Sequence, residues 1–117
     1  MRHNVKKTGL RKTKSKAKAL RRSLLTALFK HDKIQTTEGR AKTIAPLAEK
    51  LITYVRTHDD MQAIRHIDDY ILEKDVAKKV MSEVKAKYAN QESGYTRIIK
   101  LGHRPGDGAT KVQIELI

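Results

Sequence analysis

Apolar positions follow a helical rhythm through most of the chain and change to a two-residue alternation near its end. Leu20, Leu24 and Leu28 stand four residues apart and predict a first helix from about Thr13 to Lys30. That helix is divided along its length: residues 11–22 carry seven Lys or Arg, whereas 23–29 read Ser-Leu-Leu-Thr-Ala-Leu-Phe. Only its C-terminal half has the side chains to dock on a core. His31 to Thr36 reads as a short extended link or strand. Thr36 or Thr37 then caps a second helix, with Glu38 in its first turn and Ile44, Ala48, Leu51, Ile52 and Val55 as its apolar stripe. Pro46 falls inside this stripe and predicts a kink.

Asp59 and Asp60 open a third helix with Ile64, Ile67 and Ile71 on one side. Asp75 opens a fourth, in which Val76, Val80, Val84 and Tyr88 recur every four residues. Tyr95 to Leu101 reads as a strand. Lys111 to Ile117 reads as another, because Val112, Ile114 and Leu116 alternate with Lys111, Gln113 and Glu115. The glycine-rich stretch 102–110 between them is a hairpin loop bearing Arg104. Residues 1–12, interrupted by Gly9 and dense in like charge, read as an extended arm ahead of a single domain over 13–117.

Composition thins the expected core without changing this picture. Apolar residues make up 38% of 117, there is no Trp, and the rings are one Phe and four Tyr. No apolar run approaches the ~20 residues of a membrane helix, and no leader is visible, so a cytoplasmic protein is expected. Without Cys there is neither a disulfide framework nor a thiolate metal site.

Charge changes the picture most. The net charge is +13, and residues 1–30 hold eleven Lys or Arg with no Asp or Glu. Residues 44–93, by contrast, carry eight basic and nine acidic side chains. A polyanionic partner follows. A membrane surface fits poorly, because such segments set bulky apolar residues against their basic ones, and here only Val5, Leu10 and Leu20 do so. Lys12, Lys14, Lys16 and Lys18 crowd a helix N-terminus that is itself positive, so this half should fray alone and order on phosphate.

Candidate chemistry adds little. Gly102, Gly106 and Gly108 match no phosphate-loop spacing, and no helix follows them. Asp59-Asp60 and Asp68-Asp69 sit at helix ends, where capping and dipole complementarity account for them. The five His lack metal-ligand spacing, and no nucleophile–base set can be proposed. The chain therefore reads as no enzyme, with no cofactor, metal or small-molecule substrate. One further constellation remains: Tyr95, Thr96, Arg97, Lys100 and Arg104 gather a ring and three cations around one hairpin. It reads either as an ordinary exposed hairpin with a packed Tyr or, beside so basic an N-terminus, as a second contact to a nucleic-acid polyanion such as RNA.

Several stretches resemble the family of bacterial large-subunit ribosomal protein seventeen. They are Met1-Arg2-His3; Leu24-Leu25-Thr26-Ala27-Leu28-Phe29-Lys30-His31; Ile34-Gln35-Thr36-Thr37 with Arg40-Ala41-Lys42; Gly94-Tyr95-Thr96-Arg97-Ile98; Arg104-Pro105-Gly106-Asp107; and Val112-Gln113-Ile114-Glu115-Leu116. Their order spans the chain. Lys16-Ala17, Ser23, Ser93 and Thr110-Lys111 depart from the family's usual residues. The resemblance implies a two-layer α+β domain in the order α-β-α-α-α-β-β, with a small mixed sheet and a basic arm. It implies a large-subunit component bound to 23S rRNA, a monomer within the ribosome, beside neighbouring ribosomal proteins near the exit-tunnel region. It implies RNA contacts at Arg2, His3, Arg11, Lys12, Arg22, His31, Thr36, Thr37, Lys42, Tyr95, Arg97 and Arg104. Lys6, Lys7, Lys14, Lys16, Lys18 and Arg21 join these on charge, and Lys100 through the hairpin.

Two other classes compete. A free DNA-binding regulator should present a recognition helix with Arg, Asn or Gln on one face, usually in a dimer. An RNA-processing enzyme should carry a cofactor loop or an acid–base cluster. The sequence offers neither.

Overall fold

A computed structural model describes residues 13–117, so the arm expected over 1–12 lies outside the described residues. Helix α1 spans Lys14–His31, strand β1 Lys33–Thr37, helix α2 Glu38–Thr57 and helix α3 Asp60–Asp68. A fourth rod follows in three parts: α4 Lys74–Lys79, a π-helical turn Val80–Val84, and α5 Lys85–Lys87. Strands β2 Thr96–His103 and β3 Thr110–Leu116 close the chain. The domain is α+β, with helices laid against one face of a three-stranded sheet.

The sheet runs β1-β3-β2 and is antiparallel at both pairings, not mixed as expected. The hairpin fixes β3 against β2, and β1 enters on the far side of β3, opposed to it. Ile34, Ile114 and Ile98 stand in register across the three strands, and β3 buries Val112, Ile114 and Leu116 toward the helices. Leu101 is an extra residue between the paired Lys100 and Gly102, and Gly102 takes the left-handed backbone (φ 123°) that the bulge needs.

Helix α2 is the centre of the core. It buries Ala41, Ile44, Ala48, Leu51, Ile52 and Val55 and touches all three strands and α1. The helix continues through Pro46, whose exposed side puts the carbonyl bond it cannot make toward water. Helix α1 contributes Leu25, Leu28 and Phe29, all from its C-terminal half. Helix α3 buries Ala63 and Ile67, and Ile71 just beyond it is buried too; of the three residues expected on that side, Ile64 alone stays about half exposed.

The fourth rod buries Val76, Val80, Val84 and Tyr88, the full four-residue series. On a 3.6-residue helix such a series drifts by about 40° per step and would leave the core. The π turn over Val80–Val84 is wound more loosely, so it reverses that drift midway. Thr26 is the one buried polar residue among those described; its hydroxyl donates to the Arg22 carbonyl (2.8 Å) and accepts from the Leu72 amide (3.0 Å).

Candidate nucleic-acid interface

The N-terminal half of α1 stands off the core. No residue of the helix before Leu25 is buried, and its first turn holds no acidic side chain. The Thr13 hydroxyl accepts from the Lys16 amide at 3.4 Å, a long cap. Lys14, Lys18, Arg21 and Arg22 fall at i, i+4, i+7 and i+8, so they share one side of the helix. Among the described residues, none of Lys14, Lys16, Lys18, Arg21 or Arg22 makes an ion pair with a carboxylate. Arg22 is turned partly inward: its Nη2 donates to the Asp68 carbonyl at 3.3 Å, and its Nε is buried without a hydrogen-bond partner.

A second cationic surface forms where α2 begins beside the hairpin. Thr36, Thr37 and Arg104 line one cleft of about 320 Å³, together with Arg40 and Lys111. The fold thus joins three of the expected contacts that lie almost seventy residues apart in sequence. Arg40 and Lys111 were not singled out from the sequence. Arg40 was legible from its place one helical turn beyond Thr36 and Thr37; Lys111 needed the strand register, which pairs it with Thr37.

Three cations of this surface, Lys42, Arg97 and Arg104, already have carboxylate partners, whereas Arg40, Lys100 and Lys111 form no ion pair among the described residues. Arg104 donates through Nε to Asp107 (3.1 Å) and through Nη2 to its other oxygen. The guanidinium's hydrogen bond and the Ala109 amide hold the Asp107 carboxyl down to about 2, and the Arg104 pKa is raised in turn. Lys42 pairs with Glu38 at 2.9 Å, which lowers the Glu38 pKa, and Lys100 lies close enough to lower it further. Arg97 donates through Nε to Glu115 at 2.7 Å and lowers that carboxyl's pKa. Each of these cations is half exposed and can still face a phosphate, but from a locally neutral pair.

Tyr95 is a correction. Its ring is fully buried, packed edge-on to Tyr88 with centroids 5.0 Å apart, and its hydroxyl donates to the Gln91 carbonyl at 2.8 Å. It therefore offers no face to a base. Strand β2 begins only at Thr96, so Tyr95 stands outside the alternation that would have put it beside Arg97. His31 is exposed in the last turn of α1, where an imidazolium suits the helix dipole. Arg2, His3, Lys6, Lys7, Arg11 and Lys12 lie outside the described residues. No cluster of metal ligands occurs among the described residues, and no described helix is long and apolar enough to cross a membrane.

The arrangement can hold phosphates but contains no group set for bond chemistry. Comparison with known proteins gives it a context. The family profile described as Ribosomal protein L17 matches residues 20–117. The chain belongs to the ribosomal protein L17 family. The "Large ribosomal subunit protein bL17" of Desulfitobacterium hafniense (strain DSM 10664 / DCB-2) is 49% identical over 96 residues, covering 82% of this chain and 85% of that protein. The protein of the same name from Desulforapulum autotrophicum is 43% identical over 117 residues, covering 100% of this chain and 97% of its own. That of Gemmatimonas aurantiaca is 42% identical over 117 residues, with 100% and 98% covered. As an L17-family chain it is a ribosomal protein and not an enzyme.

Proposed function

We propose that this chain is a structural constituent of the large ribosomal subunit in the cytoplasm, where it binds 23S rRNA and supports subunit assembly. The basic arm and the N-terminal half of α1 supply the main grip. One observation carries this reading: five cations, Lys14, Lys16, Lys18, Arg21 and Arg22, fall within nine residues of one helix with no carboxylate partner among the described residues, and four of them share one side. Unpaired side chains can displace condensed counterions from phosphates, and that release supplies the binding free energy. The cleft around Thr36, Thr37 and Arg104 makes a second contact that fixes orientation.

Exposed Met61, Ile64 and Leu72 leave apolar surface on the near-neutral part of the chain. Neighbouring ribosomal proteins near the exit-tunnel region would cover it, with the chain present as a monomer. Sedimentation tests the reading. The protein should travel with large subunits through a moderate-salt wash at about one copy each; recovery mostly free or on chromosomal DNA would refute it.

A further inference from the structure

Two neighbouring hollows on the outer side of α2 differ in chemistry but share the same wall. One is mainly apolar and is edged by a row of rings contributed by α2 and α3. Tyr54 lies flat between His58 (centroids 3.8 Å, planes 5° apart) and His66 (4.0 Å, 17°), and Tyr70 follows His66 at 5.1 Å. The other hollow is cationic, lined by Lys18, Arg21 and Arg22 of α1. Pro46, Leu47 and Tyr70 line both, so the two form one groove with a ring-lined end and a cationic end.

None of the four rings is fully buried, so the row is not core packing. Its carboxylates do not cancel the cations. Glu49, in the ring-lined hollow, already accepts from the Thr96 hydroxyl at 2.9 Å, and Asp69 alone faces the three cations of the other. The stacked rings cover one another's faces, but Tyr70 is tilted by 53° from His66 and is left to border the seat. An apolar seat with such a ring beside cations that hold no ion pair matches a nucleobase attached to its phosphate.

We propose that this groove seats an unpaired nucleotide of the bound RNA, its base against the ring row at Tyr70 and its phosphate on Lys18 and Arg21. The proposal rests on the RNA-binding reading above and gives it a base-contacting subsite beside α1 and α2. The contact is sequence-tolerant, because every base presents a π-face.

Ultraviolet crosslinking of the full-length protein on 23S rRNA, followed by peptide mapping, tests it without altering the chain. RNA adducts are expected at Tyr70 as well as on α1. Adducts on α1 with a silent Tyr70 overturn the subsite and leave the RNA-binding reading intact; absence of any complex overturns both. As a second measurement, Tyr70→Leu should weaken binding on the order of tenfold at an unchanged salt slope, with Tyr70→Phe close to wild type. Equal loss in both variants, or none in Tyr70→Leu, counts against it.

Discussion

The cations of α1 and those of the sheet side are similar in kind and differ in company. In the first half of α1, Lys14, Lys16, Lys18, Arg21 and Arg22 carry no ion pair among the described residues. On the sheet side, Lys42, Arg97 and Arg104 each hold a carboxylate, whereas Arg40, Lys100 and Lys111 do not. An unpaired cation loses only its counterion when a phosphate arrives, whereas a paired one must share or abandon a partner first. Charge count alone would rank the two surfaces by number of residues. Pairing ranks them by how much of that charge can be felt by RNA.

The largest expected effect comes from stripping the first surface. Replacing Lys14, Lys16, Lys18 and Arg21 together by Ala should lower the slope of log affinity against log salt by about 3–4, at roughly 0.9 for each phosphate no longer neutralised. Filter binding on 23S rRNA between about 50 and 200 mM salt measures it. Thermal stability should hold or rise slightly, because the charges of Lys14 and Lys16 in the first turn no longer oppose the helix dipole.

A core change should do the reverse. Ile114→Ala removes a fully buried side chain from the central strand and should cost about 2–5 kcal/mol in denaturant unfolding. The salt slope of the folded fraction should stay unchanged, since no cation moves.

The smallest effects come from freeing the paired cations. Asp107→Asn releases Arg104 and should steepen the salt slope by at most about 1, and Glu115→Gln should do the same through Arg97. Acid should mimic the first change. The Asp107 carboxyl sits at about 2 in the folded chain against an ordinary 3.8, so the pair's contribution is full above that ordinary value. It fades as pH falls toward about 2, as protonation removes the charge that holds Arg104. Titration of the Asp107 side-chain carbon by NMR checks both the value and the sign; a midpoint near 3.8 would show that the pair is absent.

Much of this was legible in the sequence because it depends on near neighbours. The split of α1 into a charged and an apolar half follows from its order of residues, and the Val76–Tyr88 series announced a buried face. The sequence did not show how that face stays aligned, since a π turn is chosen by packing against other elements. Sheet direction at β1 and the Arg97–Glu115 pair depend on register between distant segments. Arg97 and Lys100 make Tyr95 read as an outward ring, while its packing on Tyr88 and its hydroxyl bond to the Gln91 carbonyl decide where it points. The ring row was written as two i, i+4 pairs, Tyr54/His58 and His66/Tyr70, but only the α2–α3 turn brings them together.

Hydrogen exchange along α1, with and without 23S rRNA, tests the central contrast most directly. Residues 25–29, whose helix turn is anchored by Leu25, Leu28 and Phe29, should be protected in both states. Residues 14–18 should exchange rapidly in the free protein and become protected on RNA. Strong protection of 14–18 without RNA, or none gained with it, would contradict the claim that this half of the helix is held by phosphate.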